Sequence, residues 1–188
     1  WNVPLVLDAD ALNVLKDHLD SLAKYPAPLV ITPHPGELRR LTAVEDGSGT
    51  PEQRLEKRWD AASMLSRLAG ATVLVKGRPT MVIGPKGKMQ MVASGGRALA
   101  SGGSGDVLTG IIGSFLAQGL GPEEAAAAGA YLHGLSGEIL AAQTSFRSVL
   151  PGDVAANLGR ALLLMEHEQP NTLLRLEGRW NGRLWNIP

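Results

Sequence analysis

The chain has 188 residues, 44% hydrophobic and 19% charged, an ordinary balance for a globular protein with room for one substantial core. Lysine plus arginine equals aspartate plus glutamate at 18 each, so no basic surface points to nucleic acid as a partner. There is no cysteine for a disulfide framework or a thiolate metal site, no run of membrane-span length and no opening signal peptide, which makes the cytoplasm the expected compartment.

The chain opens on Trp1-Asn2-Val3 without an initiator Met and runs straight into an apolar strand over residues 4–8, which reads as a segment trimmed at its N-terminus. A helix is expected over about 10–23, a second strand at Leu29-Val30-Ile31, and a short helix from Pro35 to about Leu41. Residues 45–51 form a loop, and a helix over about 52–69 carries Leu55, Trp59, Ala62, Leu65 and Leu68. Thr72-Val73-Leu74-Val75 is a continuous apolar run, expected as a strand buried on both faces. Thr80–Ile83 and Met89–Val92 flank Gly84-Pro85-Lys86-Gly87 and read as a β-hairpin. The second half is helical, over about 105–118, 122–142 and 152–166, with Pro122, Glu123 and Glu124 marking one helix start. From residue 167 the chain turns polar and reads as a tail to a domain spanning 1–166. Short strands alternating with helices make this an α/β chain with parallel β-α units, and no internal repeat divides it.

Residues 102–110, Gly-Gly-Ser-Gly-Asp-Val-Leu-Thr-Gly, carry the strongest chemical signal. Glycines allow a tight turn and close approach to a ligand, and the first amides of a helix have no internal partner, so this turn can hold a phosphate. Asp106 either caps the helix or faces a substrate hydroxyl as a base beside a transferring phosphoryl group. The helix behind it is apolar along Val107, Leu108, Ile111, Ile112, Phe115 and Leu116 and small along Gly110, Gly113, Ser114 and Ala117. Such a helix is buried, and its N-terminus points at the interior or at a pocket, which favours the functional reading of Asp106.

Three further segments follow strands, where open α/β sheets place their ligands. Asp8-Ala9-Asp10 can hold a magnesium–nucleotide through water, although capping by Asp10 is the simpler account. His34, between Pro33 and Pro35, either presents its imidazole to a ligand or is an ordinary loop residue. Lys76, in Lys76-Gly77-Arg78-Pro79-Thr80, can reach a phosphate as a point charge or sit exposed in a turn. Arg97, after Ser94-Gly95-Gly96, either clamps phosphate or points into water. Their convergence on one rim outweighs any single motif.

Taken together, Asp8-Ala9-Asp10-Ala11-Leu12-Asn13, Thr32-Pro33-His34-Pro35-Gly36-Glu37, Val75-Lys76-Gly77 with Thr80, and Gly102-Gly103-Ser104-Gly105-Asp106-Val107-Leu108 resemble the ADP-dependent NAD(P)H-hydrate dehydratases. The likeness runs from about Asn2 to Met165 and includes Tyr131-Leu132-His133-Gly134; the Pro-His-Pro-Gly-Glu segment discriminates best. It implies a ribokinase-like three-layer α/β/α fold with a mostly parallel central sheet. It implies repair of hydrated NADH or NADPH driven by ADP or ATP, with Mg2+ bridging the phosphates. By position, Asp106 would be the catalytic base and contact the hydrate together with His34. Lys76, Gly77, Arg78, Pro79, Thr80 and Gly105 would contact the nucleotide, and the amides of Gly103, Ser104, Gly105 and Asp106 would form an anion hole. The partners implied are small molecules, with no nucleic acid, no membrane and assembly as a homo-oligomer. No protein-built metal site is expected. Gly96 departs from the family, where Asn is frequent, and the family's domain begins before Trp1, so one sheet edge and part of the hydrate pocket are expected to be missing. A small-molecule alcohol kinase of the same fold and an inactive nucleotide-binding fragment are the competing readings.

Overall fold

The computed structural model describes residues 2–45 and 47–167, together with the backbone of residues 176–180 and 183–187. Alternation along the strands sorts side chains into two cores. In β2 (Leu29–Ile31), Leu29 and Ile31 enter one core and Val30 the other. In β3 (Thr72–Val75), Val73 and Val75 part from Leu74 in the same way, and in β4 (Thr80–Ile83), Met81 and Ile83 part from Val82. A strand whose successive side chains both meet apolar partners is covered by helices on both faces, and the molecule is therefore three-layered. The first core takes Trp59, Ala62, Leu65 and Ala69 from α3 (Pro51–Ala69). The second takes Leu108, Ile112 and Leu116 from α4 (Ser104–Ala117) and a run of alanines from α5 (Pro122–Gln143).

The sheet runs β1-β2-β3-β4-β5, where β1 is Leu5–Leu7 and β5 is Met89–Val92. Pairing is parallel from β1 to β3 and antiparallel from β3 to β5. The carboxyl ends of β1, β2, β3 and β5 thus share one rim with the start of β4, which brings residues 8, 32–34, 76–80 and 94–97 together.

The β4–β5 hairpin has the limits expected from its turn. Elsewhere the structure departs from the pattern. The helix expected over 10–23 is α1 (Asp10–Leu15) followed by a 3-10 segment, Lys16–Lys24, kinked at His18. There the Ser21 hydroxyl donates to the His18 carbonyl at 2.6 Å, a local bond that competes with regular helix. Asp10 does not cap α1: Ala9 holds the cap position and makes no side-chain bond there, while Asp10 accepts only a long 3.5 Å contact from Asn13. The helix expected over 152–166 is two, α6 (Pro151–Ala156) and α7 (Leu158–His167). They break at Asn157, whose side-chain amide turns to the carbonyl and hydroxyl of Ser136 at 3.2 Å each. Beyond them, β6 (Leu176–Trp180) and β7 (Arg183–Ile187) form an antiparallel pair, and Asn186 of β7 stands opposite Gln90 of β5. Among the described residues no helix is long and apolar enough to cross a membrane.

Candidate active site

A cavity of about 770 Å³ opens on the shared rim. His34, Lys76, Gly77, Arg78, Thr80, Ser104 and Gly105 line it, as do Arg97 and His133. Seven of the sequence-expected site residues are therefore brought together from three separate segments. Pro79, Gly103 and Asp106 are not part of that lining. Asp106 is exposed in the first turn of α4.

One wall is built from strand ends and is charged. The Lys76 ammonium donates to the Asp8 carboxylate at 2.6 Å and lies 3.8 Å from that of Glu37. Both carboxylates are nearly buried, at 11% and 7% side-chain exposure, so the cation meets groups that water barely reaches. Thr109 adds a 3.5 Å contact to Asp8. The sequence leaves Asp8 and Asp10 indistinguishable, whereas the fold commits Asp8 to Lys76 and leaves Asp10 outside.

His34 is the cap of α2 (Pro35–Thr42). Its Nδ1 accepts from the amides of Gly36 at 2.9 Å and Glu37 at 3.2 Å, while Glu37 returns a bond by accepting from the His34 amide at 2.7 Å. This is a capping box in which an imidazole replaces the usual hydroxyl. With Nδ1 occupied as an acceptor, the ring proton resides on Nε2, which lies 3.5 Å from Glu37 and is the nitrogen left to meet a ligand. His34 is thus a helix cap through one ring nitrogen, a role not expected for it, and the residue also lines the cavity.

A second wall is the start of α4, where the lining residues Ser104, Gly105 and Leu108 carry no charge. Gly103 has φ +88°, a left-handed conformation that a side chain would strain. At Gly105 an added Cβ would lie 3.1 Å from Asp8 Oδ2 and 3.6 Å from Lys76 Nζ, so a bare backbone is needed where the two walls meet. The four amides of this turn are not equivalent. Those of Ser104 and Asp106 donate to the Ser101 and Gly103 carbonyls at 3.2 and 3.1 Å. Those of Gly103 and Gly105 make no such turn bond among the described residues and remain for an anion.

His133 is a polar lining residue to which the sequence attached no role. It lies on α5, 6% exposed, with Nε2 3.2 Å from the hydroxyl of buried Ser104. Burial pushes its imidazole down from 6.5 to about 4, so it is neutral near pH 7. The loop over the cavity is tied to the same helix: Gly95 donates to Glu138 at 2.8 Å and Ser94 to the Tyr131 carbonyl at 3.1 Å.

Among the described residues no three His, Cys, Asp or Glu side chains gather as a metal cage. No carboxylate is among the described residues lining the cavity, and Asp8 and Glu37 lie against Lys76, so a hard divalent ion there would be held chiefly by phosphate oxygens and water.

Fold and site together define a three-layer α/β/α protein with a glycine-walled, lysine-bearing pocket on the carboxyl rim of its sheet. Residues 1–160 match the NAD(P)H-hydrate dehydratase family, and the chain belongs to that family; its fold is ribokinase-like. It is 42% identical over 167 residues to the bifunctional NAD(P)H-hydrate repair enzyme of Moorella thermoacetica, covering 88% of this chain and 30% of that protein. It is 41% identical over 155 residues to the ADP-dependent (S)-NAD(P)H-hydrate dehydratase of Neisseria meningitidis, covering 81% of this chain and 51% of the relative. The solved ADP/ATP-dependent NAD(P)H-hydrate dehydratase of Bacillus subtilis, co-crystallized with ATP/Mg2+, superposes at TM-score 0.70 with 30% identity, over 86% of this chain and 55% of its own. The chain thus spans about half, or less, of the length of these proteins.

Proposed function

We propose that the chain dehydrates hydrated NADH or NADPH at the expense of ADP or ATP. The observation that carries this reading is the gathering of His34, the Lys76–Thr80 turn and the Ser104–Gly105 helix start around one cavity of nucleotide size. Family membership supplies the reaction class. In this reading the nucleotide lies in the cavity, with its phosphates between Lys76 and the amides of Gly103 and Gly105. Thr80, whose hydroxyl donates to the Gly77 carbonyl at 3.0 Å, holds the turn beneath it.

The hydrate docks over the exposed groups, Asp106 and His34. Asp106 accepts the proton of the hydrate hydroxyl as its oxygen takes the terminal phosphoryl group of ADP, and AMP leaves. The carbon–oxygen bond of the new phosphate ester then breaks and the neighbouring ring carbon gives up a proton to water, so inorganic phosphate leaves and the double bond of the reduced ring returns. Mg2+, when bound, would neutralise phosphate charge, and Asp8 and Glu37, beside Lys76, are the carboxylates that would hold it through water. Phosphoryl transfer has a loose transition state, so the work of these residues is positioning and charge balance. The reading further takes residues 1–166 as part of the catalytic domain, 167–188 as its tail, and the protein as a cytoplasmic homo-oligomer with small-molecule partners alone.

The test is incubation of the chain with hydrated NADH and ADP while the absorbance of the reduced ring is followed. Recovery of absorbance with stoichiometric AMP supports the proposal. A stable phosphorylated product would instead indicate an alcohol kinase, and ADP binding without turnover a nucleotide-binding module. Asp106→Asn is expected to lower turnover at least about a hundredfold while ADP affinity stays within about twofold. Near-normal turnover in that variant removes Asp106 from the role of base.

A further inference from the structure

The Ser104 amide is spent on the Ser101 carbonyl, so what Ser104 can offer the cavity is its hydroxyl. That hydroxyl is buried and has one side-chain neighbour among the described hydrogen bonds, the imidazole of His133 at 3.2 Å. His133 comes from a different helix, 29 residues away, and lines the same cavity. A phosphoryl oxygen accepts hydrogen bonds and offers none, so a hydroxyl that serves it must donate. A hydroxyl has one proton. If that proton is aimed at the phosphoryl group, the other neighbour of the oxygen must itself be a donor.

We propose that His133 is a positioning residue: its Nε2–H donates to Ser104 Oγ and thereby turns the Ser104 proton into the cavity, adding a third donor to the Gly103 and Gly105 amides. The proposal rests on the reading of the cavity as the phosphoryl-transfer site. The two amides are fixed by the backbone, whereas a hydroxyl rotates freely unless a partner sets it. His133 can set it without introducing a charge, because burial keeps the ring neutral. A protonated imidazole in its place would draw the phosphate toward itself, away from the acceptor hydroxyl.

The direct test is 15N NMR of the full chain labelled at histidine, with and without saturating ADP. The expected signature for His133 is the tautomer protonated at Nε2, retained when ADP binds. A ring protonated at Nδ1 in the ADP complex overturns the proposal, whatever the chain's activity. The second arm compares His133→Leu, His133→Gln and Ser104→Ala, each checked for native unfolding temperature. His133→Leu and Ser104→Ala are each expected to lower kcat about tenfold or more with a smaller change in KM, the cost of one misdirected bond to a charged group. The double variant should be no worse than Ser104→Ala, and His133→Gln, whose amide also donates, should recover most of the loss. Additive losses, or no recovery by Gln, overturn it. If the wild-type chain proves inactive on hydrated NADH, the cavity reading fails separately; ADP affinity measured across the same four variants, together with the tautomer, still decides the role of His133.

Discussion

The two walls of the cavity solve the same problem by opposite means. The strand-end wall presents Lys76, whose ammonium is backed by the Asp8 and Glu37 carboxylates at 2.6 and 3.8 Å. The helix wall holds no formal charge: it presents backbone amides, a hydroxyl and a buried neutral imidazole. A charged wall is cheap to maintain only while every member keeps its partner, since a desolvated charge left alone is costly. A neutral wall is insensitive to ionic partners but sensitive to anything that would charge it. The walls should therefore fail under different insults, and three perturbations separate them.

The largest effect is expected on acidification of the neutral wall. In the folded chain His133 lies below its unfolded value, shifted from 6.5 to about 4 by burial. Above pH 6.5 both states are neutral there and the shift costs nothing. As the pH falls from 6.5 toward 4, the unfolded chain takes up a proton that the folded chain refuses, and stability drops by up to about 3 kcal/mol. Unfolding by urea at a series of pH values should show this loss in the wild type and a flatter profile in His133→Leu over the same window. Parallel profiles would mean that the ring is charged or hydrated in the folded chain.

The charged wall should give way next. Lys76→Met leaves two nearly buried carboxylates without their cation, at a cost of about 1–3 kcal/mol. Adding Asp8→Asn should restore part of that stability, because one of the two unpaired charges, the one closest to the lost ammonium, is then gone. It should not restore ADP affinity, which needs the ammonium. Chemical denaturation and titration calorimetry on the single and double variants give the two readings independently; recovery of both would reduce Lys76 to a structural partner of Asp8.

How much of this was legible in the sequence depends on how far apart the interacting groups lie along the chain. The β4–β5 hairpin, the start of α5 and the glycine turn before α4 were readable because the signal and the structure it makes are within a few residues. His34 was readable as a site residue, and its capping role is also local. The partner of Asp8 was not, since Lys76 is 68 residues away and Asp10 has the same chemistry at a neighbouring position. His133 sits in a helix of alanines and glycines and acquires meaning only when α5 is laid against α4. The exposure of Asp106 and the break at Asn157 are likewise products of packing: the first follows from which face α4 turns inward, the second from a side chain that bonds to Ser136. The β6–β7 pair is a different case. The dipeptide Asn181-Gly182 between those strands is a strong hairpin signal that a polar reading of the tail passes over.

The smallest effect tests the residue that belongs to both structure and chemistry. His34→Ala removes the acceptor for the Gly36 and Glu37 amides at the start of α2, and the loss of a cap costs about 1 kcal/mol. His34→Asn keeps a side-chain oxygen at the cap and should recover most of that stability. It cannot supply an Nε2–H to the cavity, so the KM for hydrated NADH should rise in both variants alike while ADP affinity changes little. Stability and KM would then part company in Asn and move together in Ala. If Asn rescues both, the imidazole serves the helix alone, and the hydrate is held on the charged wall by some group other than His34.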